Sequence, residues 1–366
     1  MVRGRGAARG PADPSVKNPI PKVRRLGRAV RVEHVPDPRV DVFQFRTAAG
    51  SGGDDVRVRV ETTLPEAALD LARRLEEADI EADIQVTLLP DPTLEPRSEA
   101  LVRAAIAPVY RRPTMNSTLL SQYPMGARLT LLNRRGRFWR VRGEDGHIGW
   151  VHGGYLVRGE LEWALAWERA EGGDPVVSLG AAVQDEAEHI FARLPWGARV
   201  LRPAPGRILL PDGRTGTVAE GEVVPADRLW DRFPPRGESV TRTARRWIGV
   251  PYLWGGVTPL GVDCSGLVQS VYWIHGVAVP RDSDMQAEVG DPVEPRGDWS
   301  GLVAGDLLFF AEHGRVTHVA MSLGGPQIIH ASASNGGVAL DDLAEDGELE
   351  EALRSLFVGA RRLLPD

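Results

Sequence analysis

The 366-residue sequence has one cysteine, Cys264, and only two lysines, Lys17 and Lys22. A single thiol excludes an intrachain disulfide framework and any metal site built from several thiolates. It leaves two readings of Cys264 open, an inert small hydrophobe in a core or a reactive thiol. Lysine is scarce beside abundant arginine, which reads as compositional bias rather than a nucleic-acid surface, because most of the chain is acidic and would repel phosphate. No apolar run reaches the roughly 18 residues of a membrane-crossing helix. No apolar core of roughly 7 to 15 residues with a cleavage site follows the basic start, so the expectation is a chain without a signal peptide, located in the cytoplasm. Apolar residues at 42% and charged residues at 26% exclude a mostly disordered or fibrous chain.

The net charge of −6 is unevenly spread: residues 1–31 hold nine basic side chains and one aspartate, leaving −14 for the remainder. Rich also in Gly, Pro and Ala and without periodicity, residues 1–27 are predicted to be a disordered basic arm. Residues 28–95 read as a small α+β domain. Its predicted elements are strands over Val30–Val35, Val40–Phe45, Val56–Thr62 and Ile84–Leu89, with a helix started by Pro65 and carrying Ala68, Leu71, Ala72 and Leu75 on one face. No catalytic constellation is visible there. An internal repeat follows, in which Met125-Gly126-Ala127-Arg128-Leu129 is echoed by Trp196-Gly197-Ala198-Arg199-Val200. Short glycine-broken strands through Phe138-Trp139-Arg140-Val141 and Gly149-Trp150-Val151 predict a small β-barrel over 96–160, which resembles a bacterial SH3-like domain. Residues 161–233 read as a diverged second copy, and 225–235 as a Pro-rich, charged linker.

The chemistry concentrates in 238–366. Gly261-Val262-Asp263-Cys264-Ser265-Gly266 precedes an apolar helical face at Leu267, Val268, Val271, Tyr272 and Ile274. Cys264 is therefore expected at a helix N-terminus, where the aligned peptide dipoles lower a thiol pKa. Asp263 would oppose that effect if it faced the sulfur, so it is expected to point away, toward a bound cation. Strands predicted over Val316–Met321 and Gln327–Ser332, joined by Gly324-Gly325, put His318 and His330 on neighbouring strands of one antiparallel sheet. A thiolate needs an imidazole as general base and then general acid, and the imidazole needs a polar group to orient it. Cys264, His318 and His330 supply these types in chain order.

The motifs Pro-Tyr-x-Trp-Gly-Gly at 251–256, Asp-Cys-Ser-Gly at 263–266, Pro-Arg-Asp-Ser at 280–283, Gly-Asp-Leu-x-Phe-Phe at 305–310, His-Val-Ala-Met at 318–321 and Ile-His-Ala-Ser at 329–332 together resemble the NlpC family of bacterial cell-wall cysteine peptidases. The resemblance implies a C-terminal papain-like α+β peptidase domain; with the two SH3-like β-barrels and the small N-terminal α+β domain, which lies outside the resemblance, the chain is expected to be multidomain α+β. The resemblance also implies a triad of nucleophile Cys264, base His318 and third residue His330, with no cofactor and no metal. With SH3-like domains ahead of the peptidase, the chain is similar to γ-D-glutamyl-L-diamino-acid endopeptidases, which implies a murein-derived peptide, L-Ala-γ-D-Glu-diamino acid, as substrate and partner. In such relatives the aspartate matching Asp263 binds the free amine. Tyr252, Trp254, Ser265, Asp282 and Ser283 match further pocket positions, and Tyr252 OH is a candidate oxyanion donor beside the Cys264 N–H. His147 and Ala127 stand where the relatives' first SH3-like domain has Tyr and Glu.

Three other readings are weighed. A metal hydrolase using His313, His318 and His330 lacks the His-Glu-x-x-His helix motif. A decayed peptidase serving only as a murein-binding module is disfavoured by the intact Cys264, His318 and His330. An endopeptidase acting on intact murein differs only in substrate.

Overall fold

In the computed structural model the described residues are 19–49 and 56–365, so most of the segment read as a disordered arm lies outside them. The rest of that segment is helical: α1 (Ile20–His34) starts inside it and also replaces the strand predicted over Val30–Val35. Val23, Gly27 and Val30 fall at helical spacing and are buried, whereas Val32 is 75% exposed, so the Val-x-Val alternation carries no common face. β1 (Phe43–Ala49) lies C-terminal to its predicted start, β2 (Val56–Thr62) and α2 (Pro65–Glu77) follow the pattern read from sequence, and β3 (Ala82–Leu88) completes a sheet of order β1-β2-β3. β2 is antiparallel to β1 and parallel to β3, with α2 as the crossover. Leu71 and Leu75 of α2 bury against Val56, Val58 and Val60. The contacts divide the chain after Pro92, three residues short of the expected domain boundary, into two compact units.

The second unit opens with β4 (Glu99–Val102), β5 (Ile106–Tyr110), β6 (Leu119–Pro124), β7 (Arg128–Arg135), β8 (Phe138–Arg142), β9 (Ile148–His152) and β10 (Leu156–Gly159), in sheet order β10-β4-β7-β8-β9-β5-β6. Tyr123, Leu129, Leu131, Trp139 and Val151 form its core. After α3 (Leu161–Glu168), strands β11 (Asp174–Gln184), β12 (Ile190–Arg202), β13 (Arg207–Leu209) and β14 (Thr215–Pro225) close into a barrel. The two repeat motifs meet: Arg199 N–H donates to Met125 O at 2.8 Å. Gly126, at φ +83°, lies so near that a Cβ on it would sit 1.9 Å from Arg199 O.

The segment read as a linker is packed instead. It contains α4 (Leu229–Arg232), and its apolar side chains Leu229 and Phe233 join the core of the following region. There Trp196 of the barrel meets Phe233 and Trp247 edge to face, so barrel and C-terminal region share one apolar cluster. α5 (Gly237–Arg245), the short pair β15 (Val257–Thr258) and β16 (Gly261–Val262), α6 (Cys264–Ile274) and α7 (Ser283–Gln286) precede β17 (Asp291–Val293), β18 (Ala304–Glu312), β19 (Arg315–Gly324), β20 (Gln327–Ser332), β21 (Gly337–Asp342), α8 (Glu348–Leu356) and β22 (Phe357–Arg362). The antiparallel sheet runs β17-β22-β18-β19-β20-β21, and α6 buries Leu267, Val268 and Val271 in one cluster with Phe309, Val319, Met321 and Ile329. Among the described residues no helix is long and apolar enough to cross a membrane.

The contact between the repeats predicts that Gly126→Ala destabilises the chain by about 2 kcal/mol or more, from the left-handed backbone and the clash with Arg199 O. Paired thermal melts of wild type and variant check this, and an unchanged midpoint refutes it.

Candidate active site

Asp263 is the N-cap of α6: its extended backbone (φ −98°, ψ 178°) ends β16, and its Oδ1 accepts from Gly266 N–H at 2.7 Å. The same carboxylate accepts from Gly255 N–H at 2.8 Å and Ser265 Oγ at 3.3 Å. Arg281 closes it bidentately, Nη1 to Oδ1 at 3.0 Å and Nη2 to Oδ2 at 2.7 Å. Five donors thus converge on one buried carboxylate. Arg281 is itself almost fully buried; its Nη1 also donates to Ser265 Oγ at 2.8 Å, and its Nε to Ser121 Oγ of β6 at 3.1 Å. Burial alone would lower the Arg281 pKa, but Asp263 outweighs it and holds the guanidinium charged. Asp263 therefore faces the chain's own Arg281 rather than the bound cation expected from the sequence.

Cys264, the first residue of α6, is buried. The backbone N–H groups of Ser265 and of Val319, the residue after His318 on β19, face its sulfur. On the same sheet His318 Nε2 and His330 Nδ1 are 2.6 Å apart, and His330 Nε2 is 2.6 Å from Asp341 Oδ2 on β21. Asn335, in the turn between β20 and β21, donates from Nδ2 to the same Asp341 oxygen at 2.8 Å. His318 leans on the Phe310 ring, with centroids 5.6 Å apart.

The electrostatics overturn one expectation. Burial, and then the Asp263 charge, push the Cys264 thiol up to about 12 despite the helix N-terminus and the two N–H groups. Burial, and then His330, push His318 down to about 3, with Asp341 opposing. Raising the thiol that far disfavours the thiolate by about 4 kcal/mol, against ~1 kcal/mol for a helix terminus. Desolvation wins, and the resting pair is thiol and neutral imidazole.

Tyr252 lies near Cys264 and Asp263; burial and those two groups push its phenol up to about 12, so it stays an O–H donor. Trp254 is 62% exposed, Ser265 is buried within the Asp263–Arg281 network, and Ser283 starts α7. Asp282 is half-buried, with Oδ2 3.5 Å from Nδ1 of the buried His147. Asp145 Oδ2 accepts from Gln269 Nε2 at 3.2 Å and Gln122 Oε1 from Val257 N–H at 3.3 Å, so the β4–β10 sheet abuts α6, the helix that Cys264 begins. His313 occupies the exposed turn between β18 and β19. Sequence reasoning missed Arg281, although it lies inside the Pro-Arg-Asp-Ser motif, and Asp341, on a strand that was not read.

Residues 249–356 match the family model "NlpC/P60 family", and 107–157 match "Bacterial SH3 domain". A gamma-D-glutamyl-L-lysine dipeptidyl-peptidase of Bacillus cereus is 35% identical over 162 residues, 43% of this chain and 46% of that protein. One of the same name from Bacillus subtilis is 37% identical over 30% of this chain and 36% of its own length. The chain thus matches less than half the length of these curated relatives. The crystal structure of an NlpC/P60 family protein from Bacillus cereus superimposes with a TM-score of 0.61 at 24% identity, over 73% of this chain and all of the other, and shows the same fold. With the sequence matches and this fold in agreement, the chain carries an NlpC/P60 domain preceded by a bacterial SH3 domain.

Proposed function

We propose that the chain is a cysteine peptidase that cleaves the bond between the γ-carboxyl of D-Glu and the L-diamino acid in murein peptides. The observation that carries this reading is the sulfur of Cys264 at the start of α6, against the strand that bears His318, with His330 hydrogen-bonded behind it. The names of the two Bacillus relatives support the bond cleaved. His318 takes the thiol proton as Cys264 Sγ bonds to the γ-carbonyl carbon. The tetrahedral oxyanion is met by the Cys264 N–H and the Tyr252 phenol. The C–N bond then breaks, and the amine leaves with the proton from His318. Water attacks the thioester, gives a proton to His318, and releases the carboxylate and the thiol. Trp254, Asp282 and Ser283 line the substrate side, and the barrel over β11–β14 is a diverged SH3-like partner of the first.

A second substrate reading, an endopeptidase on intact murein, is favoured by one observation: the Asp263 carboxylate is already taken by five donors, which weakens it as the receiver of a free amine. Purified chain incubated with L-Ala-γ-D-Glu-L-Lys and with L-Ala-γ-D-Glu-diaminopimelate is expected to release L-Ala-D-Glu. Cys264→Ala should lose at least about 10³-fold in kcat, and a variant that keeps full activity defeats the peptidase reading. Faster turnover of N-acetylated peptide or polymer than of free tripeptide selects the second substrate reading.

The shifted pKa values set a pH dependence. Cys264 lies above and His318 below its ordinary value, so the neutral pair persists across the neutral range. Only the thiolate alkylates, and its fraction grows tenfold per pH unit below the thiol pKa. Iodoacetamide should therefore modify Cys264 slowly at pH 7, with a rate that climbs through pH 9 without levelling; as the chain's one thiol, Cys264 can be read by mass alone. A plateau near neutrality would mean a preformed ion pair.

Arg281→Ala leaves Asp263 buried and uncompensated, at a cost of about 3–5 kcal/mol. The double variant Arg281→Ala with Asp263→Ala should recover part of that loss in thermal melts, and additive losses would contradict the pairing.

A further inference from the structure

The hydrogen-bond chain behind His318 has a direction, and Asp341 is where the direction is set. A carboxylate only accepts hydrogen bonds, so at 2.6 Å from Asp341 Oδ2 the His330 Nε2 must carry a hydrogen. With a single N–H hydrogen on its ring, His330 then has its lone pair on Nδ1. The 2.6 Å contact there requires His318 Nε2 to carry the hydrogen and donate. His318 is left with its lone pair on Nδ1, the form a general base needs. Resting on the proposed roles of Cys264, His318 and His330, we infer that Asp341 is a positioning residue that fixes the tautomers of both histidines in series and so makes His318 Nδ1 the atom that accepts the Cys264 proton.

The sheet builds this contact. β20 and β21 are antiparallel, with His330 opposite Ala339 and Ile328 opposite Asp341, so Asp341 lies on the diagonal of His330 on the same face. The small Ala339 directly opposite leaves room for the diagonal reach. The neighbouring Asn335 makes the carboxylate necessary. Its amide nitrogen is 3.3 Å from His330 Nε2 and 2.8 Å from Asp341 Oδ2. Bound to the carboxylate, that amide is held as a donor to Asp341. Without the carboxylate it would donate to His330 Nε2, move the His330 hydrogen to Nδ1, and reverse the chain, leaving His318 with an N–H where the base should be. The Asp341 charge also favours the imidazolium that forms on His318 during the reaction, consistent with its raising effect there.

Two variants separate polarity from charge. In Asp341→Asn an amide oxygen can still accept from both His330 and Asn335, so polarity survives and charge is lost. In Asp341→Leu both are lost. On L-Ala-γ-D-Glu-L-Lys, kcat is expected to fall about tenfold in the Asn variant and about a hundredfold or more in the Leu variant, with KM within about twofold of wild type. Two-bond proton–nitrogen NMR of chain labelled with ¹⁵N-histidine reads the tautomers directly, with His318→Gln and His330→Gln spectra assigning the peaks. Wild type and the Asn variant should show both rings protonated at Nε2, and the Leu variant should show His330 protonated at Nδ1. Unchanged tautomers in the Leu variant, or kcat within about twofold of wild type there, overturn the inference. Should the Leu variant not fold, an Asn variant with unreduced kcat, or a wild-type spectrum with His330 protonated at Nδ1, overturns it equally. A wild-type chain that leaves the peptide uncleaved defeats the proposed function instead, while the tautomer shift still reports on Asp341.

Discussion

The buried pair of Asp263 and Arg281 is the contact on which the rest of the site depends. It joins four pieces of chain: the start of α6, the Gly255 backbone, the approach to α7 and, through Ser121, strand β6 of the SH3 domain, 160 residues before Arg281. Burying two charges gains little net stability, since desolvation offsets most of the attraction. Its effect is geometric. With Gly266 N–H capped by Asp263 and the carboxylate held from the far side by the guanidinium, α6 can begin only at Cys264. That fixes the sulfur against Val319 and therefore beside the histidine strand. An isolated cap would leave the first turn free to fray; a cap closed by a bidentate arginine does not.

What the sequence disclosed divides along the range of the interactions. The helical spacing of Ala68, Leu71 and Leu75 after Pro65 and the strand over Gln327–Ser332 were legible, because each is a local periodicity that the fold keeps. Val30 to Val35 misled because Arg31 and Glu33 flanking Val32 mimic a strand's alternation, and only the burial of Val23, Gly27 and Val30 shows which face is inward. Leu229 and Phe233 sat in a segment whose prolines and charges hide two buried side chains. Arg281 was in view within a motif, yet its partner lies 18 residues earlier, and a residue type alone does not reveal a cross-chain ion pair. Asp341 was harder still. It stands in an acidic run resembling a surface turn, and its reach to His330 follows from a strand register that no local pattern encodes.

The SH3 domain is part of the site's frame rather than a tethered module. Ser121, Gln122 and Asp145 each hydrogen-bond across to the NlpC/P60 region, and His147 faces Asp282 at 3.5 Å. These contacts fall on the side of α6 that carries Asp263 and Gln269, away from the histidine sheet. The SH3-domain contacts and the histidine strands thus lie on opposite faces of one helix. The contacts can vary with the side chains of β6 and the Asp145–His147 turn while Cys264, His318 and His330 keep their geometry. With Asp263 committed to Arg281, Asp282 is the more accessible of the two carboxylates.

Burial shapes the chemistry more than the helix terminus does. A terminus of α6 acting alone would favour a thiolate and an imidazolium at rest, and the orientation of His330 would then matter little, because a doubly protonated ring has no tautomer. Desolvation reverses this by holding Cys264 and His318 neutral. A neutral imidazole is a base at one nitrogen only, so the position of its single hydrogen decides whether the sulfur can be deprotonated at all. That position is set behind the ring, at His330 and the group His330 contacts. The more completely Cys264 is buried, the more its proposed role as nucleophile depends on the polarity of that hydrogen-bond chain, which is why a carboxylate two side chains removed from the sulfur bears on it.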